Sequence, residues 1–135
     1  MNQLDHTLKA MDLHFFATER HGISLAAAAD CLADKEQCVF LDVRTDEETP
    51  YARFGDAIHI PLEQLPDRLD DVPRDKAVVV FCTSVVRASM AAFYLKAEGF
   101  ASARTLLANS EEMMKLFSPA EIHRRKDATP SNRSF

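Results

Sequence analysis

The amino-acid sequence predicts an α/β domain built on a central, mostly parallel sheet of about four to five strands with helices on both faces. Three observations carry that prediction. Ala77-Val78-Val79-Val80-Phe81 is an apolar run with no polar interruption, as a strand covered on both sides requires. Runs of that kind alternate along the chain with stretches of helical spacing, the pattern of crossover connections in a parallel sheet. A chain of 135 residues, 47% hydrophobic and 27% charged, fits one globular domain able to bury ~65–70% of its unfolded surface.

The elements follow in order. Leu4, Leu8, Met11, Phe15 and Phe16 share one face of an amino-terminal helix that His21-Gly22 would stop. Such a helix caps the domain, packs in a homodimer or docks a partner. His14 and His21 have no second ligand pair at metal spacing. Ser24 is a good N-cap for a helix through Leu32, which Asp34-Lys35-Glu36 ends, and Cys31 packs in it as a small hydrophobe. Val39 to Arg44 reads as a buried strand ending on an acid and a base, opened by a structural Cys38. Thr45 to Tyr51 carries Asp46-Glu47-Glu48 and reads as a short helix, one of whose acids pairs with Arg44.

Ala57-Ile58-His59-Ile60-Pro61 is a short strand stopped by proline, with His59 on the face opposite its isoleucine neighbours. Leu65-Pro66 then leads into a helical turn with Leu69 and Val72 inward. After the Ala77–Phe81 strand and Cys82, Ala88, Met90, Ala91, Ala92 and Leu95 recur at helical spacing up to Gly99, and Phe100 anchors the stop. Ala103 to Leu107 is a further strand. Asn109 or Ser110 caps a helix containing Met113, Met114, Leu116 and Phe117. Ser118-Pro119 begins a last short helix, the basic group His123 to Lys126 reads as its solvated end, and the tail from Lys126 to Phe135 has the composition of a frayed terminus.

Composition narrows the function. A net charge of −5 gives no reason to expect nucleic acid as a partner. The longest apolar runs, Leu25 to Ala29 and Ala77 to Cys82, are too short to span a bilayer, and the first sixteen residues lack a basic region followed by an apolar block. The expectation is a cytoplasmic protein without membrane association. Three cysteines with no CxxC pair suggest neither a disulfide framework nor a metal site, and the chemistry below calls for no cofactor.

In a parallel α/β sheet the ligand sits outside the carboxyl ends of the strands, here Asp42 to Arg44, His59 and Cys82. Cys82 is the strongest candidate. It stands between a strand end and a helix amino terminus, where free backbone N–H groups and the positive end of the helix dipole favour a thiolate.

The sequence resembles the single-domain rhodaneses over roughly Ser24 to Phe117. The resemblance rests on LDVR at Leu41 to Arg44, AIHIPL at Ala57 to Leu62, VVVFC at Val78 to Cys82, RAS at Arg87 to Ser89 and LKAEGF at Leu95 to Phe100. It implies a three-layer sandwich with the domain at residues 24–118, an amino-terminal helical extension at 1–23, and a carboxy-terminal helix and flexible tail at 119–135. It also implies a sulfurtransferase that moves a sulfane sulfur through a persulfide on Cys82. The chain departs from the family at four places. Val85 stands where the loop usually has glycine, Thr83 where a basic residue often follows the cysteine, and Ala108-Asn109 where a glycine pair follows the last strand. The family's GHIPGA segment appears as Ala52 to Ala57, with Arg53 at its histidine.

From Cys82 through Arg87 the loop spans six residues. Curled, it can turn the amides of Ser84, Val85, Val86 and Arg87 toward one centre, a nest that suits a single sulfur better than a tetrahedral oxyanion. The similar phosphatase and arsenate-reductase loops are one residue longer. The expected reaction begins with attack of the Cys82 thiolate on thiosulfate or a persulfide donor and ends with transfer to a thiol or cyanide, with a protein sulfur acceptor also open. Arg87 either steadies the donor's charge or braces the loop through a carboxylate; Thr83 and Ser84 can donate hydroxyl hydrogen bonds, and Asp42 and Arg44 support the loop. Two alternatives stand beside this reading: a rhodanese-like binding or redox-sensing module without catalysis, and a phosphatase or arsenate reductase, which the loop length opposes.

Overall fold

A computed structural model describes residues 1–50, 54–55 and 57–127. Tyr51, Ala52, Arg53 and Asp56 lie outside the described residues, as does the tail from 128 to 135, and so do the expected alignment of Arg53 and the frayed terminus.

Among the described residues, five parallel strands form one sheet in the order β1-β5-β4-β2-β3. They are β1 (Gly22–Ile23), β2 (Cys38–Asp42), β3 (Ile58–His59), β4 (Ala77–Phe81) and β5 (Ala103–Leu106). The apolar run at 77–81 is the middle strand, and every residue of it is buried. Because side chains alternate across a strand, Ala77, Val79 and Phe81 enter one core and Val78, Val80 and Cys82 the other. The first core is closed by α3 (Leu25–Leu32) through Ala28, Ala29 and Cys31, and by Met113 of α5 (Ser110–Met114) with Leu116. The second is closed by α4 (Val86–Ala97) and by Leu65 and Val72 from the 3-10 helix Leu62–Asp71 and its end. The result is the expected three layers.

α4 presents Ala88, Ala91, Ala92 and Leu95 to the sheet, and the alanines let the helix axis lie close to it. Met90, expected on the same face, is instead 58% exposed, because it falls two positions from Ala88 and Ala92. The helix ends as its sequence predicts. Gly99 takes φ +98°, its N–H donates to the Lys96 carbonyl at 3.2 Å and the Phe100 N–H to the Leu95 carbonyl at 2.9 Å, which is a Schellman motif with Leu95 and Phe100 buried together.

The amino terminus corrects the sequence reading. It is not one helix but two, α1 (Gln3–Lys9) and α2 (Leu13–Ala17), because the Asp12 carboxylate accepts the Phe15 N–H at 3.0 Å and starts a new helix. Of the expected apolar face Leu4, Leu8 and Phe16 stay in solvent, while Met11 and Phe15 are half-buried. Nor does His21-Gly22 stop a helix. Thr18 caps α2, Glu19 reverses the chain at φ 56°, and Gly22–Ile23 joins the sheet beside β5. A Cβ on Gly22 would meet the Leu107 side chain at 2.7 Å, so this edge strand is closely fitted to its neighbour.

One further expectation changes. The described part of the segment expected as a helix, residues 45–50, is a run of turns in which the Glu48 and Thr49 N–H groups reach back to the Thr45 carbonyl. The basic group at 123–126 lies inside α6 (Pro119–Asp127), where Arg124 donates to Glu121 at 2.6 and 2.9 Å. Arg124, Arg125 and Lys126 lie in the last turn of that helix, and His123, Arg124 and Lys126 are exposed as expected; Arg125 alone of the four is largely covered.

Candidate functional site

Cys82 follows β4 directly and its side chain is buried at 1% exposure beneath the first turn of α4. The residue at the N-cap position, Val85, has no side-chain acceptor to offer. The Cys82 sulfur fills that role and accepts the N–H of Ala88, the third residue of the helix, at 3.3 Å. The amides of Val86 and Arg87 belong to the same turn, where no preceding helical carbonyl reaches them. The thiol itself donates to the Ser84 carbonyl at 2.6 Å, which folds the loop back over the sulfur. Val85 has φ −101° and ψ −13°, ordinary right-handed backbone, so the loop closes without the left-handed residue that a glycine would serve.

Arg87 braces the loop. Its guanidinium grips Glu48 in a two-pronged contact, 2.5 Å from one nitrogen and 2.9 Å from the other, and donates a third bond to the Thr83 hydroxyl at 3.2 Å. Thr83 in turn donates to Glu48 at 3.0 Å, so its hydroxyl is committed to the brace and not to the sulfur. Glu48 also accepts the Thr45 amide at 3.1 Å and the Thr45 hydroxyl at 3.0 Å. Arg87 above all holds the Glu48 carboxyl far below the usual carboxylate range, and Glu48 raises the guanidinium pKa in return. On the other side, the Thr83 carbonyl accepts the Ser110 N–H at 3.0 Å, which ties the loop to the start of α5.

Asp42 and Arg44 form a second, buried pair. Arg44 donates to both Asp42 oxygens at 2.7 to 3.1 Å, and its backbone N–H adds a bond of 3.1 Å. The guanidinium also lies 5.2 Å from the Phe54 ring centre. His59 closes the arrangement by donating from Nε2 to the Arg44 carbonyl at 2.7 Å; a carbonyl only accepts, so that nitrogen carries the proton. Asp42, Thr49, Phe54 and His59 line a small cleft at the ends of β2 and β3. The pairing expected between Arg44 and the acidic run is replaced: Arg44 turns to Asp42, and Glu48 turns to Arg87.

The sequence matches the rhodanese-like domain family over residues 25–110, well over half of the chain. The chain belongs to the rhodanese-like family. It is 35% identical to a sulfurtransferase of Allochromatium vinosum over 69 residues, covering 51% of this chain and 64% of that protein. It is 32% identical to the putative sulfurtransferase YtwF of Bacillus subtilis over 78 residues, covering 58% and 76%. A rhodanese-like domain protein from Staphylococcus aureus superimposes with a TM-score of 0.63 at 26% identity, over 69% of this chain and 90% of that one. The chain thus spans less than two thirds of the Allochromatium relative's length.

Of the residues that the sequence marks for the rhodanese-like site, Cys82, Thr83, Ser84, Val85, Val86 and Arg87 form one loop, and Asp42 and Arg44 stand at the end of the neighbouring strand β2. Glu48 is the site residue that sequence reasoning misses. Its signal lies in Thr45-x-x-Glu48, the spacing with which a glutamate returns to a threonine N–H, but nothing local announces a partner 39 residues further on.

Proposed function

We propose that this protein is a sulfurtransferase that moves a sulfane sulfur from a donor to a thiol or cyanide acceptor through a persulfide on Cys82. The observation that carries the reading is the Cys82 sulfur acting as the N-cap of α4, a place where negative charge on sulfur meets an amide N–H and a helix end. In the first step Cys82 releases its proton to solvent and the thiolate attacks the outer sulfur of the donor. The new S–S bond forms as the donor's own bond breaks, and sulfite or a thiolate leaves with the electron pair. In the second step the acceptor attacks the outer sulfur and Cys82 departs as thiolate.

The site favours a low-molecular-weight persulfide over thiosulfate as donor. Arg87 is occupied by Glu48, and Thr83 stands where a basic residue would meet a doubly charged thiosulfate. The six-residue loop supports sulfur transfer over phosphate chemistry, because its radius suits a single sulfur. A protein acceptor is compatible with the exposed Val85 and Val86 on the rim of the loop.

Steady-state assays test this. Thiol released from a persulfide donor and thiocyanate formed from thiosulfate and cyanide are both measured for the wild type and Cys82→Ser. The expected result is turnover that Cys82→Ser abolishes, with kcat/KM at least about tenfold higher for the persulfide, the cost of one missing charge contact. Turnover with neither donor by the folded protein would leave the non-catalytic module as the correct reading.

A further inference from the structure

Two thiols take no part in the Cys82 site. Cys31, near the end of α3, and Cys38, at the start of β2, are buried together in the core on the opposite face of the sheet from Cys82. Their sulfurs are 2.9 Å apart. That is within about 1 Å of the separation in a disulfide bond. Sequence alone gives no reason to pair them, because their spacing matches no redox or metal motif and one lies on a helix, the other on a strand.

The backbone holds the pair in place. The Cys31 carbonyl accepts the Asp34 N–H at 3.1 Å, and the Asp34 carbonyl accepts the N–H groups of Gln37 and Cys38, each at 3.1 Å. Lys76 donates to the Lys35 carbonyl at 3.0 Å and pins the same turn to the start of β4, where Cys38 pairs with Ala77. Arg104 lies within electrostatic reach of the Cys31 sulfur. Cys82 cannot be the partner of either thiol: it is on the other face of the sheet and beyond the far end of β4, a strand length of ~13 Å away.

We propose that Cys31 and Cys38 form a second redox site, a dithiol that reduces low-molecular-weight disulfides and becomes an intramolecular disulfide. Cys38, 5% exposed against 1% for Cys31, makes the first attack. Its thiolate, having released a proton to solvent, attacks one sulfur of the external disulfide; the external S–S bond breaks and one thiolate leaves to be protonated. Cys31 releases its proton, attacks the Cys38 sulfur of the mixed disulfide and displaces the second thiol. In sum the protein dithiol loses two electrons and two protons, and the external disulfide becomes two thiols.

Peptide mapping of the full chain tests this. The wild-type protein is incubated with oxidised glutathione, unfolded in the presence of an alkylating agent, and digested with trypsin, which cuts after Lys35 between the two cysteines. The expected product is peptide 21–35 linked to peptide 36–44, about 2 Da lighter than the two together and separated by reductant. Cys31→Ser is expected to trap glutathione on Cys38. Recovery of Cys31 and Cys38 both alkylated in the wild type, or of glutathione persisting on either, would overturn the proposal. Sulfur transfer by Cys31→Ser is expected to stay within about twofold of wild type, so this proposal and the Cys82 reading fail separately.

Discussion

Glu48 is where the loop chemistry and the rest of the fold meet. One carboxylate takes two guanidinium nitrogens, two hydroxyls and a backbone N–H, and with them fixes Arg87 and Thr83 on the rim of the Cys82 loop. Glu48→Gln keeps the shape and removes the charge. The Arg87 charge is then no longer neutralised and can act on an anionic donor, so the ratio of kcat/KM for thiosulfate to that for a persulfide should rise by roughly tenfold, one charge-assisted contact. The brace also has a predictable pH dependence. The folded carboxyl ionises far below the ordinary glutamate value of 4.5, so its stabilisation is complete above that value and is lost as pH falls from there toward the folded pKa. Thermal midpoints of wild type and Glu48→Gln, measured from about pH 3 to 7, should differ by a constant amount above about pH 5 and converge below it. A difference that grows on acidification would contradict the brace.

Among the elements, structure follows sequence wherever local chemistry decides the outcome. Ser24 accepts the Ala27 N–H at 3.2 Å and starts α3, Asn109 makes a capping box with Glu112, and Gly99 ends α4, each at the residue whose side chain or lack of one dictates it. Asn109→Ala should therefore cost about 1 kcal/mol in chemical denaturation. Gly99→Ala should cost about 1–2 kcal/mol, since φ +98° is strained for an L side chain and the new Cβ would stand 3.2 Å from the Arg74 guanidinium. Val85 carries the opposite lesson. The family's glycine is absent, yet the backbone there is right-handed, so Val85→Gly should leave turnover unchanged and lower stability by up to about 1 kcal/mol. What stays hidden in the sequence is set by distant partners. The amino-terminal apolar face predicts one helix, but Asp12 restarts it, and two-residue β1 exists only because β5 lies beside it. Glu48 and the Cys31–Cys38 contact are hidden for the same reason, since each depends on where the fold brings a second residue.

For the molecule as a whole, the sheet separates the three cysteines into two groups. Cys82 belongs to the core beneath α4 at the carboxyl ends of the strands, and Cys31 and Cys38 belong to the core beneath α3 at the amino ends. Closing the second pair would tie α3 to β2 through an eight-residue loop and, by the loop-closure relation, add roughly 2–3 kcal/mol to the oxidised fold. Because β4 contributes side chains to both cores, either site's loss of packing should be felt in one cooperative unfolding transition. Persulfide chemistry at Cys82 is tested most directly by the mass of the tryptic peptide spanning residues 77–87 after the reduced protein meets excess persulfide donor. The expected spectrum shows an added sulfur of about 32 Da on that peptide, removed by cyanide or a thiol and absent from Cys82→Ser. A folded protein whose 77–87 peptide keeps its original mass with every donor, thiosulfate included, would refute sulfur transfer through Cys82.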